Sequence, residues 1–319
     1  MLASKENLST AADLVAQYMQ ATPQICWPLL SERCGMEVWV KHENQTPIGA
    51  FKVRGGLIYM DALKRTRPHV AGVITATRGN HGQSVAFAAR TSGIRAIVVV
   101  PHGNSREKNS AMKAFGAELI EYGQDFNEAF DFAKEQAEMQ DLEFFPSFDP
   151  TLVAGVGTYT MELLNAVPDL DVIYVPIGLG SGICGAISAR EALGSTADIV
   201  GVVAENAAAY SLSYDAGELI STNSADTFAD GLAVRIPDAR ALEIILSGAA
   251  RIITVSEAEM RMAVRNYYTD THNLAEGAGA ASLAALLQEK DKMLGRKVGL
   301  VLSGGNIDRE LYLDILSGG

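Results

Sequence analysis

From about residue 70 onward, short apolar runs rich in β-branched residues alternate with amphipathic helical stretches. That alternation leaves few options besides parallel sheets covered by helices, so the fold class is α/β. Val70 to Thr75, Ile94 to Val100 and Ala117 to Tyr122 read as buried strands, separated by helices opening near His81 and Arg106, with Gly116 a helix stop. Asp171 to Ile177, Ile199 to Val203, Arg251 to Val255 and Lys297 to Leu302 form a second set, one of whose helices opens with the capping box Ser256-Glu257-Ala258-Glu259. A chain of 319 residues is near the size at which single cores stop growing, so two lobes are expected, each an open, mostly parallel twisted sheet flanked by helices. Asp149-Pro150 is the expected crossing point, because it breaks the pattern just before a helical run from Leu152.

The bulk properties exclude several classes of partner. A net charge of -12 argues against nucleic acid, whose phosphates are bound by clustered Lys and Arg. No uninterrupted apolar run is long enough to span a bilayer, so no membrane association is expected. Cys26, Cys34 and Cys184 are odd in number and widely spaced, and MLASKENLST lacks a basic segment followed by an apolar stretch, which points to the cytoplasm. The five histidines show no metal-ligand spacing; His42, His69 and His102 read as surface or loop residues, and Trp27 and Trp39 as core.

In open parallel sheets ligands bind beyond the carboxyl ends of strands, and three such positions stand out. Thr75-Ala76-Thr77-Arg78-Gly79-Asn80-His81-Gly82 opens a helix whose free backbone N–H groups suit an anion. Gly178-Leu179-Gly180-Ser181-Gly182 suits close approach to a phosphate, although such a loop on its own is as often a plain turn. Ser303-Gly304-Gly305-Asn306 follows the last strand. Gly180-Ser181-Gly182-Ile183-Cys184-Gly185, with Glu205 twenty residues beyond, also satisfies the dinucleotide fingerprint of an NAD-dependent dehydrogenase. That reading leaves Lys52 idle, in the segment Thr46-Pro47-Ile48-Gly49-Ala50-Phe51-Lys52-Val53-Arg54-Gly55-Gly56. A lysine that carries pyridoxal phosphate needs a phosphate cradle, a group at the pyridine nitrogen and a partner for the ring hydroxyl, and this chain has a candidate for each.

With these segments in view, the chain resembles the threonine and serine dehydratases, fold-type II pyridoxal phosphate enzymes with a tryptophan synthase β-like fold that also include serine racemases. The matching stretches run from Lys41 to Asn306 and include Val40-Lys41-His42-Glu43-Asn44-Gln45, Ala229-Asp230-Gly231-Leu232-Ala233-Val234 and Ala275-Glu276-Gly277-Ala278-Gly279-Ala280. The resemblance implies that Lys52, beside Phe51, carries the cofactor as a Schiff base. It implies that Asn80 contacts the ring hydroxyl, that Gly178, Leu179, Gly180, Ser181 and Gly182 hold the phosphate, and that Ser303 faces the pyridine nitrogen. Gly231 and Glu276 border the cofactor in this picture, and Thr77, Arg78, Gly79, Asn80 and His81 meet the amino acid substrate. It further implies a large cofactor-binding domain of residues 1–52 plus 151–319, a smaller mobile domain of 53–150, and a homo-oligomer.

A hydroxyl at the pyridine nitrogen makes the ring a weaker electron sink than a carboxylate would, which favours prompt loss of a β-substituent. The reaction expected is dehydration and deamination of a β-hydroxy amino acid, most simply L-threonine or L-serine, to a 2-oxo acid and ammonia. 3-Hydroxyaspartate or another β-hydroxy amino acid is an alternative, and a β-replacement synthase a more distant one. Racemases of this family place a serine where Arg78 stands, and an arginine is a poor proton shuttle, so racemisation is not expected. Arg78 either pairs with a substrate carboxylate or is an exposed helix-start residue. Relatives hold a cation near the positions of Glu205, Ala209 and Ser211; with Ser211 in place of an aspartate, Glu205 and Ala209 bind a monovalent ion, a weak divalent one or nothing. With no extra 100-residue segment after Asn306, the isoleucine control of larger relatives is not expected.

Overall fold

A computed structural model describes residues 2–318. Among the described residues ten strands form two sheets: β1 (Gln24–Cys26), β2 (Glu37–His42), β3 (Val73–Ala76), β4 (Ala96–Val100), β5 (Glu118–Glu121), β6 (Glu143–Phe144), β7 (Val172–Pro176), β8 (Asp198–Ala204), β9 (Arg251–Val255) and β10 (Lys297–Leu302). The larger sheet runs β1-β2-β10-β7-β8-β9 and is parallel except for the β1–β2 pair. The smaller runs β5-β4-β3-β6, parallel throughout. The expected class and two-sheet organisation are what the molecule has.

Burial explains which strands were legible. Every residue of β4 and of β7 is buried, as in strands covered on both faces, and such strands read as continuous apolar runs. β9 and β10 have the boundaries their sequence suggests, whereas β3, β4 and β5 are each shorter than their apolar runs. The helix after Asp149 begins at Pro150, two residues before Leu152, because the Asp149 carboxylate accepts from Thr151 N at 2.8 Å and proline suits a first turn. The capping box forms, with Ser256 N donating to Glu259 Oε2 at 2.7 Å.

β1, β2 and β6 have no counterpart in the sequence pattern. β2 ends in Lys41 and His42, polar residues that are nevertheless fully buried. Placing His42 in a surface or loop position is therefore corrected. Its Nε2 accepts from Trp27 Nε1 at 2.9 Å, and burial lowers its pKa to about 4, keeping the ring neutral. His69 and His102 are exposed, and both tryptophans are half-buried against apolar clusters.

β10, last in sequence, lies between β2 and β7. The carboxyl ends of β7 and β10 deliver Gly178–Gly182 and Ser303–Asn306, and β3 delivers the Thr77–His81 turn from the other sheet. Such an order places a crevice where connections diverge, outside the strand ends. Among the described residues no helix is long and apolar enough to cross a membrane.

Candidate active site

Lys52 is the first residue of the helix Lys52–Thr66, whose start has no side-chain cap. The Ser303 loop holds it instead. Phe51 N donates to Ser303 O at 3.0 Å, Gly305 N donates to Gly49 O at 2.9 Å, and Ala50 forms an antiparallel bridge with Gly304. From the smaller sheet's side, Ser84 Oγ donates to Lys52 O at 2.7 Å.

Beneath this helix start lies a buried charge cluster. Arg54, with no exposed surface, forks onto Glu43 through Nε (2.7 Å) and Nη2 (2.9 Å) and onto Glu162 through Nη1 (2.7 Å) and Nη2 (2.9 Å). Lys41 Nζ donates to Glu162 Oε2 at 2.5 Å and to Thr22 O at 2.7 Å. Two cations thus face two carboxylates. Burial disfavours the guanidinium, but Glu43 and Glu162 more than compensate and its pKa is raised.

The Lys52 amine itself makes no hydrogen bond or ion pair among the described residues; it lies 5.2 Å from the Phe51 ring centroid. Burial lowers its pKa from 10.5 to about 8, so a substantial neutral fraction exists near physiological pH.

On the opposite side, Thr77 Oγ1 accepts from Gly79 N at 3.0 Å and Gly82 N at 3.3 Å, shaping the turn into the helix Asn80–Ser92. Asn80 Nδ2 donates to Glu276 Oε1 at 2.6 Å, and its Oδ1 accepts from Asn306 Nδ2 at 2.8 Å. His81 has Nε2 turned to Thr75 Oγ1 at 3.1 Å, and burial together with the nearby Lys52 charge lowers its pKa to about 3. This nitrogen serves the turn. Arg78 is exposed and has no partner among the described residues.

The loop after β7 meets the backbone of Gly231: a Cβ on Gly178 would lie 2.4 Å from Gly231 O. Gly180 holds φ +100° and starts the helix Ser181–Leu193 with no side-chain cap, leaving its first N–H groups to an anion. Tyr210 OH donates to Leu179 O at 2.9 Å and steadies the loop.

Residues 15–304 match the family model described as "Pyridoxal-phosphate dependent enzyme". The chain belongs to this family. It is 37% identical over 304 residues to an L-threonine ammonia-lyase of Geobacter sulfurreducens, covering 94% of this chain and 75% of that one. It is 30% identical to an L-threo-3-hydroxyaspartate ammonia-lyase of Saccharomyces cerevisiae, over 97% and 94% of the two chains. Its fold matches the processed form of threonine deaminase isoform 2 from Solanum lycopersicum with a TM-score of 0.91 at 29% identity, over 99% and 94%.

The protein is thus a pyridoxal-phosphate-dependent enzyme, and the geometry fits that group. The Lys52 amine is free to react. The uncapped helix start behind Gly180 suits a phosphate, and Ser303, 6% exposed, has a hydroxyl without a hydrogen bond among the described residues. One amide proton of Asn80 also lacks a partner there, since Nδ2 makes a single hydrogen bond.

One buried residue beside the turn, Lys108, was not singled out in the sequence. Lys108 lies against Gly79, its Cδ 2.7 Å from where a Cβ there would sit, and its Nζ meets Asp230 Oδ2 at 2.5 Å and Glu276 Oε2 at 3.6 Å. Burial pushes the Glu276 carboxyl up to about 7, against the pull of Lys108. The proposed cation residues stand apart from these contacts. Glu205 is exposed and borders a surface cavity of about 490 Å³ with Asn206, Ala208 and Asp226, while Ala209 is buried and does not line it. Among the described residues no three His, Cys, Asp or Glu side chains come together to hold a metal.

Proposed function

We propose that this enzyme removes the β-hydroxyl and amino groups of a β-hydroxy amino acid, L-threonine or L-serine first, to give a 2-oxo acid and ammonia. The observation that carries the reading is the unpartnered Lys52 amine, at a helix start whose preceding residues are held by the backbone of the Ser303 loop. The named activity of the relative from Geobacter sulfurreducens supports the reaction class. Pyridoxal phosphate supplies an electron sink for breaking bonds at the substrate's α-carbon.

Lys52 would hold the cofactor, and its amine, with a pKa of about 8, would suit a base for the α-proton at neutral pH. Gly178, Leu179, Gly180, Ser181 and Gly182 bind the phosphate, with Gly231 packed on the loop. Ser303 would face the ring nitrogen and Asn80 the ring oxygen, Phe51 and Glu276 would border the ring, and Thr77 to His81 would receive the substrate carboxylate. Residues 53–150 form the lobe that closes and excludes water. A cytoplasmic homo-oligomer completes the reading, and three free cysteines accord with a reducing compartment.

Lys52→Ala tests the assignment. Turnover falls to background and borohydride no longer fixes cofactor to the chain; full activity in this variant would remove Lys52 from the chemistry. A second reading, 3-hydroxyaspartate, is favoured by the exposed, unpartnered Arg78 beside the substrate turn. Assaying ammonia release from threonine, serine and 3-hydroxyaspartate decides between them. Chiral analysis of recovered serine tests the expected absence of racemisation, which fast interconversion would overturn.

A further inference from the structure

The hydrogen bonds around Asn80 have a direction, and that direction starts at a backbone carbonyl. Ile48 O can only accept, and Asn306 Nδ2 donates to it at 2.8 Å. That bond fixes which end of the Asn306 amide is the nitrogen. The second Nδ2 proton then goes to Asn80 Oδ1, also at 2.8 Å, which fixes the Asn80 amide in turn. Its nitrogen is left to face Glu276 Oε1 at 2.6 Å, with one amide proton unpartnered among the described residues. Ile48 belongs to the lysine segment, Asn80 to the turn after β3, and Asn306 to the loop after β10.

We propose that Asn306 is a positioning residue that sets the polarity of the Asn80 amide, so that Asn80 presents N–H and not C=O to the cofactor's ring oxygen. This deepens the reading above and rests on its placement of Asn80 beside that oxygen. With the amide reversed, a carbonyl oxygen would face the ring oxygen, and two acceptors would oppose each other. The donor matters because a hydrogen bond to an oxygen that carries charge stabilises the charged form.

The decisive variant is Asn306→Asp, which keeps the size of the side chain but donates to neither Ile48 O nor Asn80 Oδ1. It drives Asn80 to turn its nitrogen away from Glu276. Holoenzyme absorbance, its pH titration and the cofactor dissociation constant are measured beside Asn80→Ala and the double variant. The proposal expects Asn306→Asp to shift the bound cofactor's absorbance from the visible toward the ultraviolet band and to weaken cofactor binding about tenfold, the loss of one charge-assisted hydrogen bond. The double variant is then no worse than Asn80→Ala, as for two residues acting through one contact.

A wild-type spectrum and affinity in Asn306→Asp, with a shift in Asn80→Ala, overturns the role of Asn306 and leaves that of Asn80 standing. No shift in Asn80→Ala removes both. If Asn306→Asp does not fold, Asn306→Ala is read the same way: a shift in the same direction with about threefold weaker binding supports the proposal, and wild-type values overturn it.

Discussion

Two charged clusters flank the cleft, and they are built on opposite plans. Under Lys52, the guanidinium of Arg54 is forked onto two carboxylates, Lys41 completes the balance, and the partners come from β2, the segment after it and the helix Pro150–Ala166. Across the cleft, Lys108 reaches from the helix Arg106–Ala114 to Asp230 and Glu276, and Glu276 Oε2 has no hydrogen bond. The first cluster is saturated and ties together neighbouring elements. The second joins the two sheets' sides with unsatisfied capacity. Buried ion pairs are weak evidence of net stability but strongly resist losing one partner, so the saturated cluster should lose more than the loose one when its cation is removed.

The largest expected effect comes from breaking the frame. Arg54→Met leaves Glu43, fully buried, without its hydrogen-bonded cation and should destabilise the cofactor-free enzyme by about 3–5 kcal/mol in urea unfolding. Arg54→Lys keeps the charge but loses the planar fork, and falls in between. A loss below about 1 kcal/mol for Arg54→Met would erase the contrast between the clusters, since exposed pairs are worth that little.

The second effect is pH-dependent. The folded-state pKa of Glu276, about 7, lies above its usual 4.5, so its contribution to stability is present below pH 4.5 and lost as pH rises through about 7. Glu276→Gln removes that dependence. Relative to the parent, the cofactor-free variant should gain on the order of 2 kcal/mol between pH 5 and pH 8 in parallel unfolding curves. A constant difference across that range would place the strain elsewhere.

Sequence reading reached the strands and loops around these clusters better than the clusters themselves. Strands buried on both faces announce themselves as apolar runs, and the three loops after β3, β7 and β10 follow because ligands gather at strand ends. Lys52, Asn80 and Ser303 were legible because each lies in a motif. The partnerships were not. Nothing in the sequence pairs Lys41 and Arg54, because the carboxylate Glu162 that meets both is distant in sequence. Lys108 sits in Ser105-Arg106-Glu107-Lys108-Asn109, where the pattern opens a helix near Arg106, and only the approach of Asp230 from the other side makes it a buried ion.

The smallest expected effect is the one that most sharpens the contrast. Removing Lys108 from a saturated cluster would strand two carboxylates, but here both have relief. Asp230, about a quarter exposed, can take water, and Glu276 can take a proton, more readily still once the cation that lowers its pKa is gone. The removal also ends the burial penalty of the ammonium, the largest influence on Lys108 itself. Lys108→Met should therefore cost about 1 kcal/mol at pH 8 and close to nothing at pH 6, where Glu276 is already largely protonated. Urea unfolding of the cofactor-free protein at the two pH values reads this directly. A loss above about 3 kcal/mol at pH 6 would mean that Lys108 belongs to a frame like that of Arg54, and that the two clusters are built on one plan.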